Sequence, residues 1–177
     1  VPLPDPRLDE LAKMFHSEKI VPAPVTFVDI AGIVKGASEG AGLGNKFLAN
    51  IRESDAICQV VRVFTDDDVA HVDGRIDPRS DIEVIDTELA LADLQTVESA
   101  LGKAERAAKS GEREAIARYE VLKKLRPVLD SGKPASTLKI DDPEQKKAMK
   151  GLSLITAKKV LYVANVNDDD PHGRGPL

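Results

Sequence analysis

Aromatic residues are scarce in this chain of 177 residues: four Phe, two Tyr and no Trp make up 3% of it. That argues against a stacking platform for single-stranded nucleic acid, which needs a row of aromatic faces, and against a β-sandwich built on aromatic pairs. No apolar run approaches the ~20 residues of a membrane span, and no basic-then-apolar leader opens the chain. One cysteine, Cys58, cannot form an internal disulfide, which fits a reducing cytoplasm. The first residue is Val1 rather than Met, so the chain is expected to be a piece of something longer. What is present in quantity is charge and aliphatic surface. Charged residues make up 31% and hydrophobic ones 42%, against ~25% charged in an average domain. That aliphatic content argues against disorder as an overall class, and the length suits one domain with an appendage.

The net charge of −5 hides an asymmetry. Residues 1–100 hold 9 basic and 19 acidic side chains, whereas residues 101–126 hold 8 basic and 4 acidic. An acidic body thus carries a basic segment, either a solvated helix face or an arm for an anionic partner such as RNA.

Spacing predicts the elements. Leu8, Leu11, Ala12 and Phe15 mark a short helix, with Asp5 as its N-cap and Pro6 at the tolerated first position. Val25–Val28 reads as a β-rich run ending at Asp29. Five glycines follow between Gly32 and Gly44, then Leu43, Phe47, Leu48 and Ile51 at helical spacing. Ala56–Phe64 and Lys159–Ala164 read as strands. Their nearly continuous apolar character is that of parallel strands covered on both faces. Between them, Ile82 to Ala108 and Ile116 to Leu129 form two helical stripes joined at Ser110-Gly111. This predicts an antiparallel hairpin with an Ala-rich seam, projecting from the domain, the alternative being two ordinary core helices. Pro127 is expected to end or kink the second helix. Asp142-Pro143-Glu144-Gln145 is a helix start, with Ala148, Met149, Leu152 and Ile155 on the buried face.

Asp29-Ile30-Ala31-Gly32 matches the Asp-x-x-Gly pattern of P-loop NTPases. There the Asp holds Mg²⁺ through its water shell, and the Gly lets a backbone N–H approach the γ-phosphate. Four residues alone are a weak signal. Asn165-Val166-Asn167-Asp168, also at a strand end, either reads a purine edge or is a polar turn. Strand ends would place both motifs on one rim of an open parallel sheet, where α/β ligands bind. The consecutive Asp66, Asp67 and Asp68 lack the alternation and Gly of a Ca²⁺ loop and read as solvated.

The whole stretch from Asp29 to Leu48 closely resembles the switch II region of Obg-type GTPases. Pro4-Asp5-Pro6-Arg7-Leu8, Asn50-Ile51-Arg52-Glu53, Ala70-His71-Val72, Asp77-Pro78 and Glu88-Leu89-Ala90-Leu91-Ala92-Asp93-Leu94 resemble the YchF subfamily. The resemblance implies an α/β P-loop NTPase G-domain portion with a parallel sheet and an inserted antiparallel α-helical hairpin, a coiled-coil arm. The expected divisions are 1–80 for the switch II half, 81–140 for the arm, and 141–177 for the return to the G domain. It implies a cytoplasmic, ribosome-associated hydrolase of ATP or GTP acting in translation or stress regulation, with Mg²⁺ as cofactor and the ribosome or ribosomal RNA as partner. No membrane partner and no recognition of DNA sequence are expected. Asp29 and Gly32 would take the Mg²⁺ and γ-phosphate roles, with Gly36 in the same switch. Ile33 stands where Ras-like enzymes keep a water-orienting Gln and cannot orient water, so His71 becomes the candidate catalytic group. Asn165, Val166 and Asp168 would contact the base. Asp168 replaces the usual Glu of the subfamily and Val166 the Lys of the guanine motif, so ATP is expected to be preferred, with GTP less strongly excluded. Lys103, Arg106, Lys123 and Lys124 are the candidate RNA contacts.

No Gly-x-x-x-x-Gly-Lys-Ser/Thr occurs in the 177 residues. That phosphate loop is expected before Val1 and a TGS region after Leu177, and this polypeptide alone is expected to bind nucleotide poorly. The alternative is a non-enzymatic module that docks on RNA or protein through the basic arm.

Overall fold

The computed structural model describes residues 1–30, 43–64, 76–170 and 172, with backbone alone for 43–46. The chain divides into two compact units, residues 1–31 and 32–177.

In the first unit, helix α1 (Arg7–Phe15) begins one residue later than the spacing suggests, with Pro6 in the helical region just ahead of it. The Asp5 carboxylate accepts from the Arg7 N–H at 3.1 Å and pairs with the Arg7 guanidinium. This holds Asp5 below the usual carboxylate range, the guanidinium hydrogen bond contributing most. His16 in the left-handed region closes the helix. The predicted strand at Val25–Val28 does not form. The segment makes one antiparallel bridge, Pro2 to Pro24, and Val25 N–H donates to the Val1 carbonyl at 2.7 Å. Beyond Val25 no ladder partner satisfies the backbone among the described residues, and Phe27 and Val28 stay exposed. β-branched composition makes a strand only where a neighbour supplies the hydrogen bonds.

The second unit contains helix α2 (Leu43–Glu53), strand β1 (Ala56–Arg62), helices α3 (Pro78–Ala108), α4 (Arg113–Asp130) and α5 (Pro143–Lys150), and strand β2 (Lys159–Asn165). Short 3-10 turns cover Ala135–Thr137 and Ile155–Ala157. β1 and β2 pair in parallel, Ala56 opposite Lys159 through Arg62 opposite Asn165. The expected cover on both faces is absent among the described residues: all of β2 is exposed, and Val61 alone is buried in β1. Ile57, Gln59 and Val61 share the better-covered face, whereas Cys58, Val60, Leu161 and Val163 are exposed on the other.

The hairpin forms as the spacing predicts. Asp77 caps α3 by accepting from Ser80 N–H, and Pro78 takes the first position. Gly111, at φ +81°, makes the turn that a Cβ would strain. The seam of Val97, Ala104, Val121, Leu122, Leu125 and Leu129 is the apolar core of the unit, completed by Ala135, Leu152 and Leu154. Pro127 does not end α4, which runs to Asp130. Leu129, buried on the same side as Leu125, carries the helix past it, and Ser131 N–H bonds back to the Pro127 carbonyl at 3.2 Å. Asp142 accepts from Gln145 N–H at 2.8 Å, as the helix start requires. That helix ends at Lys150, so Leu152 and Ile155 are buried from the turns that follow it rather than from its face. Ser153, at φ +49°, reverses the chain there.

Candidate functional site

Gly32, Ile33, Gly36 and His71 lie outside the described residues. Asp29 is described: it follows the Val25–Val28 segment, which forms no strand, and is exposed. Its expected place at a strand end is therefore corrected, because no strand precedes it. Among the described residues no three His, Cys, Asp or Glu side chains cluster to hold a metal. A single carboxylate is enough only for the water-mediated role, in which phosphate oxygens and waters complete the shell of Mg²⁺.

Asn165 stands where expected, at the C-terminal end of β2. Its carbonyl accepts from Val63 and Phe64 N–H at 2.8 and 3.1 Å, which ties the ends of the two strands together. The chain then turns, with Asp170 N–H bonded to the Asn167 carbonyl at 3.1 Å. Asn165 and Asp168 are exposed and Val166 is half-buried. The motif thus presents polar groups at the carboxyl rim of the parallel pair, where ligands of α/β sheets bind.

At the opposite rim a groove of about 540 Å³ runs between the strand starts, α3 and the 3-10 turns, with Asp86, Lys159 and Tyr162 in its lining. Partial burial pushes the Asp86 carboxyl up. Burial, and then the Asp86 charge, push the Tyr162 phenol up.

The four arm residues are all exposed but do not share one face. Lys103 and Arg106 lie near the turn end of α3. Lys123 leans over the Tyr119 ring, 5.4 Å from its centroid, with Glu120 3.4 Å away. Lys124, a helical step of about 100° further round, donates to Gln145 of α5 at 2.7 Å.

A polar cluster that the spacing did not single out lies inside the fold. Asp93 is fully buried, yet its carboxylate accepts from Ile155 N–H at 2.9 Å and from both the N–H and the hydroxyl of Thr156 at 2.7 Å. Thr156 Oγ1 in turn accepts from Ala135 N–H at 2.9 Å. Arg52 of α2 approaches Asp93 at 3.6 Å. The sequence signal was available: Asp93 sits at i+4 from Leu89 and i−4 from Val97, an acid on an apolar stripe.

A family model described as 50S ribosome-binding GTPase matches residues 11–97, from within α1 to midway along α3. Curated relatives narrow it. The chain is 52% identical over 169 residues to the "Ribosome-binding ATPase YchF" of Haemophilus ducreyi, covering 96% of this chain and 46% of that one. It is 49% identical over 176 residues to the protein of the same name from Bacillus subtilis, covering 98% and 48%. Among solved structures, the Schizosaccharomyces pombe YchF GTPase superposes with a TM-score of 0.73 at 36% identity, covering 96% of this chain and 46% of that one. Homology through nearly its whole length places this chain in the YchF family, and its fold is a portion of a GTPase domain carrying a helical hairpin. The chain spans about half the length of the curated relatives it matches.

Proposed function

We propose that this chain is the switch II and hairpin segment of a cytoplasmic, ribosome-associated P-loop NTPase that acts in translation or stress regulation. The observation that carries the reading is the unbroken homology to proteins named ribosome-binding ATPase. In this reading Asp29 holds Mg²⁺ through water and the Gly32 N–H approaches the γ-phosphate, with Gly36 in the same switch. Ile33 leaves the attacking water unoriented, and His71 supplies the missing group. When bound, Mg²⁺ neutralises charge developing on the transferred phosphoryl group. Asn165 and Asp168 read the base, and Val166 leaves it without the flanking Lys of guanine-specific sites, so ATP is preferred over GTP. Competitive titration of a polypeptide of full YchF length carrying this segment tests that preference; GTP tighter by about tenfold, or 1.4 kcal/mol, overturns it.

The arm reading assigns Lys103, Arg106, Lys123 and Lys124 to ribosomal RNA. Charge reversal at these four is expected to abolish co-sedimentation with ribosomes at low salt, because phosphate contacts are salt-sensitive. Undiminished co-sedimentation counts against it. A second reading, a module that binds RNA or protein without hydrolysis, is favoured for the isolated polypeptide by one feature: the 177 residues contain no Gly-x-x-x-x-Gly-Lys-Ser/Thr. ATP binding by this polypeptide is expected to be millimolar or absent. Micromolar affinity refutes that expectation, and turnover restored by an added phosphate loop favours the enzyme.

A further inference from the structure

Helix α2 begins at Leu43, a few residues after Gly32 and Gly36, which the family resemblance assigns to the phosphate-contacting switch. Its other end is held by two cations. Lys158, just ahead of β2, donates to the carbonyls of Arg52 (3.0 Å) and Ser54, a cation on the last carbonyls of a helix, where the dipole favours it. Arg52 reaches outward to α3. Its Nη2 donates to Thr96 Oγ1 at 2.9 Å and to the Ala92 carbonyl at 3.3 Å, while Nη1 lies 3.6 Å from the Asp93 carboxylate. Thr96 Oγ1 completes the ring by donating to the Ala92 carbonyl at 3.0 Å. The planar fork of Arg suits this divided grip, and the point charge of Lys does not.

Asp93 is the other half of the device. Its carboxylate is already committed to Ile155 and Thr156, so it cannot swing to follow Arg52. One rigid acid therefore joins the long helix of the hairpin, the turn leading into β2 and, through Arg52, the end of α2. We propose that Arg52 is a positioning residue that clamps α2 to the hairpin at Ala92, Asp93 and Thr96, so that hairpin placement and the phosphate-contact stretch ahead of α2 are coupled. The coupling to catalysis rests on the NTPase reading; the clamp itself does not.

Two measurements separate these. In the 177-residue chain, amide hydrogen exchange is followed in wild type, Arg52→Gln and Arg52→Lys. Losing hydrogen bonds from a charged group is expected to speed exchange over residues 47–53 by about tenfold or more, with residues 121–129 changing less than about twofold. Acceleration spread evenly over the fold, or no acceleration in α2, overturns the clamp, and full restoration by Lys overturns the fork. Arg52 retains a quarter of its side-chain exposure, so these variants are expected to fold. Where Arg52→Gln proves unstable, Thr96→Val removes one partner of the fork and is expected to speed exchange in the same residues of α2.

In a polypeptide of full YchF length carrying this segment, Arg52→Gln is expected to lower kcat for ATP about tenfold with KM unchanged. A raised KM with unchanged kcat overturns the coupling. A wild type with no turnover sinks the NTPase reading, and exchange in α2 still decides the clamp.

Discussion

The two-stranded sheet is richer in aliphatic residues than the helical hairpin, yet the hairpin is the one that buries them. The hairpin seam places Val121, Leu122 and Leu125 at zero exposure, and α5 packs along α4 to close it. The sheet pairs in register along seven residue pairs, yet Val60 is 65% and Leu161 62% exposed. Backbone pairing and burial are separate achievements. A helix satisfies its own backbone and needs a neighbour only for its stripe. A strand needs neighbours on both edges for its hydrogen bonds and others for its faces, and two strands leave an edge of each and most of both faces open.

The sharpest way to break that comparison is a matched truncation. Leu122→Ala is expected to cost about 2–5 kcal/mol, through lost transfer energy and the cavity left behind. Leu161→Ala is expected to cost less than about 0.5 kcal/mol, as exposed substitutions do. Urea unfolding of both variants measures it; equal losses would show that the exposed face of the sheet is covered in solution.

A mid-sized effect tests the edge of the core. Asp142 accepts from Gln145 N–H at 2.8 Å and starts the helix that closes the seam. Asp142→Ala is expected to cost about 1 kcal/mol, read as a drop of roughly 2–4 °C in Tm for a chain of this size. No change in Tm would mean that α5 is held by its side-chain packing alone.

A smaller effect of opposite sign belongs to the groove beside the strands. Burial raises the Asp86 carboxyl above its ordinary value of 3.8. The unfolded chain therefore loses this proton first, so ionisation of Asp86 disfavours folding. The penalty is absent below the unfolded value and grows as pH rises through the folded one. Asp86→Asn is expected to raise Tm slightly at pH 7 and to leave it unchanged near pH 3. A lowered Tm at pH 7 would mean that the carboxylate has a stabilising partner in solution.

Local patterns were legible where one helix decides its own fate. The stripe from Ile82 to Ala108, the turn at Ser110-Gly111 and the cap at Asp142 all formed where spacing placed them. The runs at Ala56–Phe64 and Lys159–Ala164 were legible as strands, because each found the other. Val25–Val28 has the same composition and failed, since ladder partners are long-range and leave no local trace. Whether α4 would stop at Pro127 or pass it was left open by the spacing for a related reason: what carries the helix on is Leu129 in the seam, a tertiary contact. At the candidate site, Asn165 came out at its strand end, whereas Asp29 did not. The Arg52–Asp93 clamp lies 41 positions apart in sequence, and only the misplaced acid at Asp93 hinted at it.

The smallest expected effect lies on the solvent side of the hairpin. Lys147 of α5 pairs with Glu114 of α4, both largely exposed. The Lys147 hydrogen bond, then its charge, holds the Glu114 carboxyl below its ordinary value of 4.5. For a lowered acid the contribution to stability is present above the unfolded value and is lost as pH falls through the folded one. Glu114→Gln is therefore expected to lower Tm slightly at pH 7 in low salt, with the difference from wild type shrinking below pH 4.5. It is also expected to fade in about 1 M salt, where the screening length drops to ~3 Å. A difference that survives both acid and salt would show that Glu114 supports the α4–α5 contact by packing rather than by charge, which would extend the buried seam outward to the surface of the hairpin.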